Sequence, residues 1–96
     1  MLRHTVMFRW RAGTSPDEVA AVTGGLRGLP AEIPELRDYR VGADAGLVDG
    51  NWDFAVVADF DDAAGWQTYN DHPAHQAVAV GIRAMFVERA AVQYEI

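Results

Sequence analysis

Two stretches of this chain alternate between large apolar side chains and smaller or polar ones, which is the pattern of a β-strand. Residues 3–11, RHTVMFRWR, and residues 52–60, WDFAVVADF, place their largest apolar side chains at every second position. The opposite faces are mixed rather than polar, and they include Met7, Ala55 and Val57. A sheet built from these strands is therefore expected to need cover on both of its faces.

A strong helix start follows the first strand. Ser15 stands where an N-cap belongs, Pro16 takes the first helical position and Glu18 completes a capping box. Apolar residues then recur at spacings of three and four, which gives the stripe Val19, Val22, Leu26 and Leu29. Gly28 and Pro30 are expected to end this helix.

Weaker signals complete the order of elements. A second strand is expected over residues 36–41, and a loop over the glycine- and aspartate-rich residues 42–51. Asp61 or Asp62 is expected to cap a short helix, which Pro73 stops because the residue before a proline avoids helical geometry. The remaining elements are a helix that starts at Pro73 and runs through Val78 and Ile82 to Met85 or Phe86, and a final strand over residues 89–96.

The order strand, helix, strand, strand, helix in two pieces, strand is typical of an α+β, ferredoxin-like split βαβ fold. We expect one domain over residues 1–96, with helices on one face of a four-stranded antiparallel sheet. The opposite face is also partly apolar, and we place Val87 and Ala91 of the final strand on it. The sequence therefore predicts a homodimer in which two sheets close face to face, with Arg9 and Asp59 as a candidate ion pair.

Composition excludes several classes of function. The net charge is −6, which argues against a nucleic-acid partner because phosphate backbones attract clustered positive charge. The chain has no cysteine, so thiolate chemistry and disulfides are excluded. No apolar run approaches the ~20 residues of a membrane span, and the first ten residues lack the apolar core of a signal peptide. We expect a cytoplasmic protein with no membrane partner.

The segment Tyr69-Asn70-Asp71-His72-Pro73-Ala74-His75 holds two of the three histidines. From the residues alone it can be a helix junction with incidental polar side chains, a metal site, or an acid–base pair in a pocket. A metal site is disfavoured, since His72 and His75 are three residues apart across a proline and the helical zinc motif uses a spacing of four. At the start of a helix the dipole favours a neutral His75, which is the form a base requires.

Four motifs occur in order along the whole chain. They are H-x-V-x-F (His4, Val6, Phe8), P-x-L…Y-x-V-G (Pro34, Leu36, Tyr39, Val41, Gly42), Asp59-Phe60 at the end of a strand, and Y-x-x-H-P-x-H (Tyr69 to His75). This pattern resembles the stress-responsive dimeric α+β barrel, or Dabb, family. The resemblance implies a homodimer whose two sheets form a closed barrel, with a pocket in each subunit between sheet and helices.

Most members of that family have no assigned reaction, but its plant polyketide cyclases close a linear polyketide by intramolecular aldol condensation without metal or organic cofactor. Matched by residue, the resemblance implies His75 as general base, Tyr69 as the donor to a carbonyl oxygen and His4 as a further pocket histidine. The chain departs from the cyclases at Phe54, where they carry a second pocket histidine, so we expect a less polar pocket. The expected substrate contacts are Val6, Phe8, Trp10, Phe54, Trp66, His72 and Phe86, around a small apolar, aromatic or polyketide-like ligand.

Residue chemistry is compatible with this reaction but leaves alternatives. An aldol closure needs a base beside a carbonyl and a donor where negative charge grows on oxygen, and an imidazole with a phenol meets both needs. A cofactor-free oxygenase and a non-catalytic binding or stress-related module are the two competing interpretations. His72 is also expected to fix the turn through its ring nitrogens.

Overall fold

The computed structural model describes residues 1–96 and contains four strands and three α-helices. The elements follow in the order β1 (Leu2–Trp10), α1 (Pro16–Arg27), a short 3-10 helix (Leu29–Ala31), β2 (Asp38–Ala43), β3 (Phe54–Phe60), α2 (Ala63–Asp71), α3 (Pro73–Arg83) and β4 (Phe86–Glu95). The strands form one antiparallel sheet in the order β2–β3–β1–β4. The predicted ferredoxin-like α+β fold is confirmed. None of the helices is both long and apolar enough to cross a bilayer.

The helix-start signals act as the sequence predicts. The Ser15 hydroxyl accepts from the backbone N–H of Glu18 at 3.1 Å, and the Glu18 carboxylate accepts from the backbone N–H of Ser15 at 3.1 Å. Asp62, rather than Asp61, caps α2 by accepting from the backbone N–H of Gly65 at 2.9 Å. Pro73 separates α2 from α3 and is the first residue of α3.

Three strands begin two or three residues away from the expected position, and β2 also ends at Ala43 rather than residue 41. Strand β2 begins at Asp38 rather than residue 36, because the backbone N–H of Leu36 donates to Ile33 in a turn that buries the leucine. Strand β3 begins at Phe54 rather than residue 52, because the Asp53 carboxylate accepts from the backbone N–H of Trp10. Strand β4 begins at Phe86 rather than residue 89, since it pairs along most of β1.

Pairing between β1 and β4 determines which side chains of β4 face the helices. Trp10 pairs with Phe86 but Arg9 pairs with Glu88, so Val87 is an extra residue in the ladder. A bulge of this kind reverses the alternation beyond it. Ala91 is consequently the partner of Val6 and lies on the inner face, so its expected place on the outer face is wrong.

The inner face of the sheet and the helices enclose the core. Fully buried residues in it include Ile33, Phe54 and Phe60. Helix α1 crosses α3 closely at Gly25, where an added Cβ would lie 3.3 Å from a methyl group of Val78. The helix crossing therefore uses a glycine inside α1, although glycine weakens a helix interior.

The outer face of the sheet carries no helix and is partly apolar. Met7, Val92 and Tyr94 are exposed there, although they are large hydrophobic residues. Arg3 forms a bidentate pair with Asp59, with N–O distances of 2.8 and 2.9 Å. The expected pairing of Arg9 with Asp59 across the dimer stays a prediction; within the chain, Arg9 lies 3.6 Å from Glu88 and does not pair with Asp59. The reason is register: Asp59 stands directly opposite Arg3.

Candidate functional site

A cavity of about 240 Å³ lies between the inner face of the sheet and the helices. Its walls come from β1, β3 and β4 on one side and from α1, α2 and α3 on the other. The lining residues are His4, Val6, Phe8, Leu26, Val56, Tyr69, Asn70, His75, Gln76, Ala79, Ile82, Arg83, Phe86 and Arg89. The volume is below the ~300–1,000 Å³ of sites for drug-sized ligands, which limits the cavity to a small molecule.

His75 occupies the first turn of α3 and has one ring nitrogen engaged. Its Nδ1 atom lies 3.1 Å from the backbone carbonyl oxygen of Asn70. A carbonyl oxygen can only accept, so the neutral ring carries its proton on Nδ1 and leaves a lone pair on Nε2. Burial lowers the pKa of His75 below its ordinary value, although the bond to Asn70 opposes that effect. The side chain therefore has the charge state and tautomer of a base.

Tyr69 supplies a phenol from α2 and is only 3% exposed. Its hydroxyl oxygen lies 3.1 Å from the hydroxyl oxygen of Tyr39 on β2. Burial raises the pKa of Tyr69, while the bond to Tyr39 and the positive charge of Arg89 oppose the rise. Burial also raises the pKa of Tyr39 well above its ordinary range. Both phenols are therefore protonated at neutral pH, and when Tyr39 donates to Tyr69 the Tyr69 proton is free to face the cavity.

His4 projects from the inner face of β1 and is 5% exposed. Its Nδ1 atom lies 2.7 Å from the side-chain amide nitrogen of Gln93 on β4. An amide nitrogen only donates, so Nδ1 accepts and the neutral ring carries its proton on Nε2. Burial first, and then the positive charge of Arg89, lower the pKa of His4 to about 4. His4 is thus a neutral donor at physiological pH.

These three rings are close neighbours. The centroids of Tyr69 and His75 are 4.2 Å apart, and those of His4 and Tyr69 are 6.2 Å apart. The cavity therefore combines a lone pair on His75 with a donor on His4, and with a second donor on Tyr69 when Tyr39 donates to Tyr69. This set suits the transfer of a proton from carbon with stabilisation of charge on a nearby oxygen.

The other expected contacts divide into two groups. Val6, Phe8 and Phe86 line the cavity, whereas Trp10, Phe54, Trp66 and His72 do not. Trp10 and Phe54 pack on each other with ring centroids 5.5 Å apart, and Trp66 lies beside His4 at 6.0 Å. A ligand that touched this second group would have to extend beyond the cavity.

His72 has a local structural role between the helices. Its Nδ1 atom accepts from the backbone N–H of Ala74 at 3.1 Å, which caps α3. The expectation that its ring fixes the turn is confirmed. No group of three or more His, Cys, Asp or Glu side chains is arranged to hold a metal ion.

Sequence reasoning missed several polar lining residues, namely Asn70, Gln76, Arg83 and Arg89. Phe54 does not line the cavity, and these polar side chains come from α2, α3 and β4, so the expectation of a pocket less polar than that of the cyclases stays a prediction. Arg83 was detectable, since it lies two helical turns beyond His75 on the same face. Arg89 was not, because its face depends on the bulge at Val87.

The fold and cavity define a ferredoxin-like α+β protein with a pocket between its sheet and its helices. The chain belongs to the stress responsive A/B barrel domain (Dabb) family, whose model matches residues 2–96. It is similar to an uncharacterised protein of Streptomyces coelicolor, with 34% identity over 79 residues that cover 80% of this chain and 81% of the relative.

Solved structures extend the comparison. A dimeric ferredoxin-like protein of unknown function from Thermobifida fusca is 48% identical, with a TM-score of 0.93 over 99% of this chain and 90% of that one. The hydroxynitrile lyase of Passiflora edulis is 18% identical, with a TM-score of 0.86 over 99% and 92% of the two chains. SnoaB, a cofactor-independent oxygenase from Streptomyces nogalater, is 14% identical, with a TM-score of 0.78 over 99% and 91%. The last two likenesses show the fold alone.

Proposed function

We propose that this protein is a homodimeric, cofactor-free enzyme that removes a proton from a carbon next to a carbonyl group, in the manner of a polyketide cyclase. The observation that carries the proposal is the contact between His75 Nδ1 and the Asn70 carbonyl, which leaves Nε2 as the base in the cavity that Tyr69 also lines. The ligand is a small, partly apolar or aromatic carbonyl compound, held by Val6, Phe8 and Phe86.

The proposed reaction has two proton transfers. His75 Nε2 takes a proton from the carbon, and the carbonyl oxygen becomes an enolate oxygen that accepts hydrogen bonds from Tyr69 and His4. The enolate carbon then attacks a second carbonyl of the same molecule, which forms the new carbon–carbon bond and an alkoxide. The alkoxide recovers the proton from His75 Nε2, so the enzyme ends unchanged. Holding both ends of the molecule in one cavity supplies several kcal/mol through proximity.

The homodimer is supported by the outer face of the sheet and by the Thermobifida fusca relative, which is dimeric. Met7 is 37% exposed, Tyr94 44% and Val92 55% on a face that no helix covers. Closing two such faces against each other removes apolar surface from water and leaves each cavity on the far side of its own sheet.

Deuterium exchange tests the first proton transfer without requiring the natural substrate. The probe is 4-oxo-4-phenylbutanoate, an aryl ketone whose CH₂ group beside the carbonyl exchanges slowly in D₂O and is followed by NMR. The wild-type protein should accelerate exchange at that carbon, and His75→Gln should lower the catalysed rate about 10²–10⁴-fold. His72→Asn is the control, since it changes a neighbouring histidine outside the cavity and preserves a capping side chain. Equal rates in wild type and His75→Gln would refute His75 as the base.

The two competing functions give different results with the same probe. A cofactor-free oxygenase also begins with deprotonation, but it consumes dioxygen, which an oxygen electrode detects. A non-catalytic module would bind the probe without accelerating exchange. The SnoaB likeness supports the oxygenase only through the fold, so the aldol-type reaction is the first candidate and the oxygenase the second.

A further inference from the structure

Two arginines at the cavity have no carboxylate partner. Arg83 ends α3 and Arg89 lies on β4, so they approach the cavity from the helix layer and from the sheet. Each of five other arginines of the chain lies within 4.0 Å of an aspartate or glutamate, namely Arg3, Arg9, Arg11, Arg37 and Arg40. Of the eight arginines, only Arg27 is unpaired and away from the cavity.

The charge of the cavity has the opposite sign to the charge of the chain. The chain has 14 acidic residues against 8 arginines, yet no Asp or Glu lines the cavity. Arg89 is close enough to lower the pKa of His4 and of His75, and Arg83 acts on His75 in the same direction. A concave site lined by one sign of charge concentrates ligands of the other sign.

We propose that Arg83 and Arg89 form a subsite for the carboxylate of a small keto acid, whose carbonyl group reaches Tyr69. The planar guanidinium group binds a carboxylate through two parallel hydrogen bonds, and the two arginines on separate elements can hold one carboxylate between them. The carbonyl end of this ligand rests on the proposed function, whereas the carboxylate end does not.

Exposure places this subsite at the mouth of the cavity rather than at its floor. Both arginines are exposed, while Tyr69 and His4 are buried. An acidic ligand would therefore enter with its apolar part and carbonyl first and leave its carboxylate at the rim. Because the rim is hydrated, each arginine is expected to strengthen binding several-fold rather than a thousand-fold.

The subsite is tested by comparing an acid with its uncharged ester. The probes are 4-oxo-4-phenylbutanoate and its methyl ester, titrated by NMR into wild type, Arg89→Gln, Arg83→Gln, the double variant and Arg27→Gln. Arg27→Gln removes an equal charge from an exposed arginine on α1 outside the cavity, so it controls for net charge. We expect wild type and Arg27→Gln to prefer the acid about tenfold, each single variant to prefer it less, and the double variant to show no preference.

Three outcomes would overturn the subsite. In the first, wild type binds the acid and the ester equally. In the second, the double variant keeps the tenfold preference for the acid. The third is displacement of the acid by inorganic phosphate but not by acetate, which would assign the arginines to a phosphate group. Repeating the titration with His75→Gln separates this proposal from the proposed reaction. If His75→Gln still prefers the acid and wild type catalyses no deuterium exchange, the subsite is supported and the proposed reaction is refuted.

Discussion

The ring of His75 donates from Nδ1 to the backbone carbonyl oxygen of Asn70 across 3.1 Å. Asn70 lies near the end of α2 and His75 in the first turn of α3, so the break at Pro73 is what brings the two together. The carbonyl determines which ring nitrogen keeps its lone pair, and Tyr69, at a centroid distance of 4.2 Å, is the neighbouring ring. A short helix junction thus prepares the proposed base.

The pH dependence of the proposed reaction should follow His75. Burial lowers its pKa, so the protonated, inactive ring should appear only below the ordinary value of ~6.5. The rate of deuterium exchange should therefore be flat around pH 7 and fall only as the pH drops below 6.5. An acid limb centred above 6.5 would contradict the buried environment of this ring.

Tyr39 is expected to act as a positioning residue through Tyr69. Tyr69→Phe removes the proposed donor and should lower the exchange rate about 10²-fold. Tyr39→Phe removes only the bond that orients that donor, 3.1 Å long, and should lower the rate about fivefold. The turnover rate and the KM of the probe are measured separately for each variant.

A positioning role predicts that Tyr39→Phe changes the turnover rate and leaves KM unchanged. Tyr94→Phe on the outer face serves as the matched control and should change neither. An equal loss of turnover rate in Tyr39→Phe and Tyr94→Phe would show that the Tyr39 hydroxyl does not position Tyr69.

Protonation of His4 should destabilise the fold at mildly acidic pH. Its folded pKa is about 4, below the ordinary ~6.5, so the unfolded chain binds more protons between these values. The contribution of His4 to the free energy of unfolding is therefore fully present above pH 6.5 and decreases as the pH falls toward 4. His4→Phe removes this titration, so its unfolding free energy should depend less steeply on pH than that of wild type in this window.

Urea denaturation at half-unit pH intervals measures both curves. The comparison is of slopes, because carboxylates such as Asp59, whose pKa is lowered by its bond to Arg3, are common to both proteins. Parallel curves between pH 4 and 6.5 would show that His4 is not buried in the neutral form.

Val92 tests the proposed dimer. It is 55% exposed on the outer face, where a second sheet would cover it. Val92→Glu places a charge in that interface and should convert the protein from about twice 10.5 kDa to 10.5 kDa in sedimentation equilibrium. Val80→Glu is the control, since Val80 is 62% exposed on α3, and it should leave the dimer intact. A monomeric wild type would contradict the proposal directly.

Local signals in the sequence predicted the fold because each depends on contacts between residues that are only a few positions apart. Ser15 with Glu18 and Pro73 each define a boundary through contacts with near neighbours. The strand faces of β1 and β3 also followed from alternation alone. The prediction that Ala91 lies on the outer face was wrong because one bulge in β4 reverses the alternation of side chains. Such a bulge depends on pairing with a strand that is distant in sequence.

The candidate site was predictable where its residues are neighbours in sequence. Tyr69 and His75 are six positions apart, and the proline between them limits their geometry. Tyr39, the hydrogen-bond partner of Tyr69, and Gln93, the partner of His4, were harder to predict, because they reach the site from other strands. Arg89 joins the cavity only because β4 pairs with β1 in one register.

The proposed reaction depends on which ring nitrogen of each of the three histidines carries a proton. A long-range proton–nitrogen NMR spectrum at pH 7 reports which ring nitrogen of each histidine carries hydrogen. We predict that His75 is neutral with its proton on Nδ1 and a lone pair on Nε2, whereas His4 and His72 carry their proton on Nε2. A charged His75, or a neutral His75 protonated on Nε2, would contradict it, because the ring would then have no lone pair to offer the cavity.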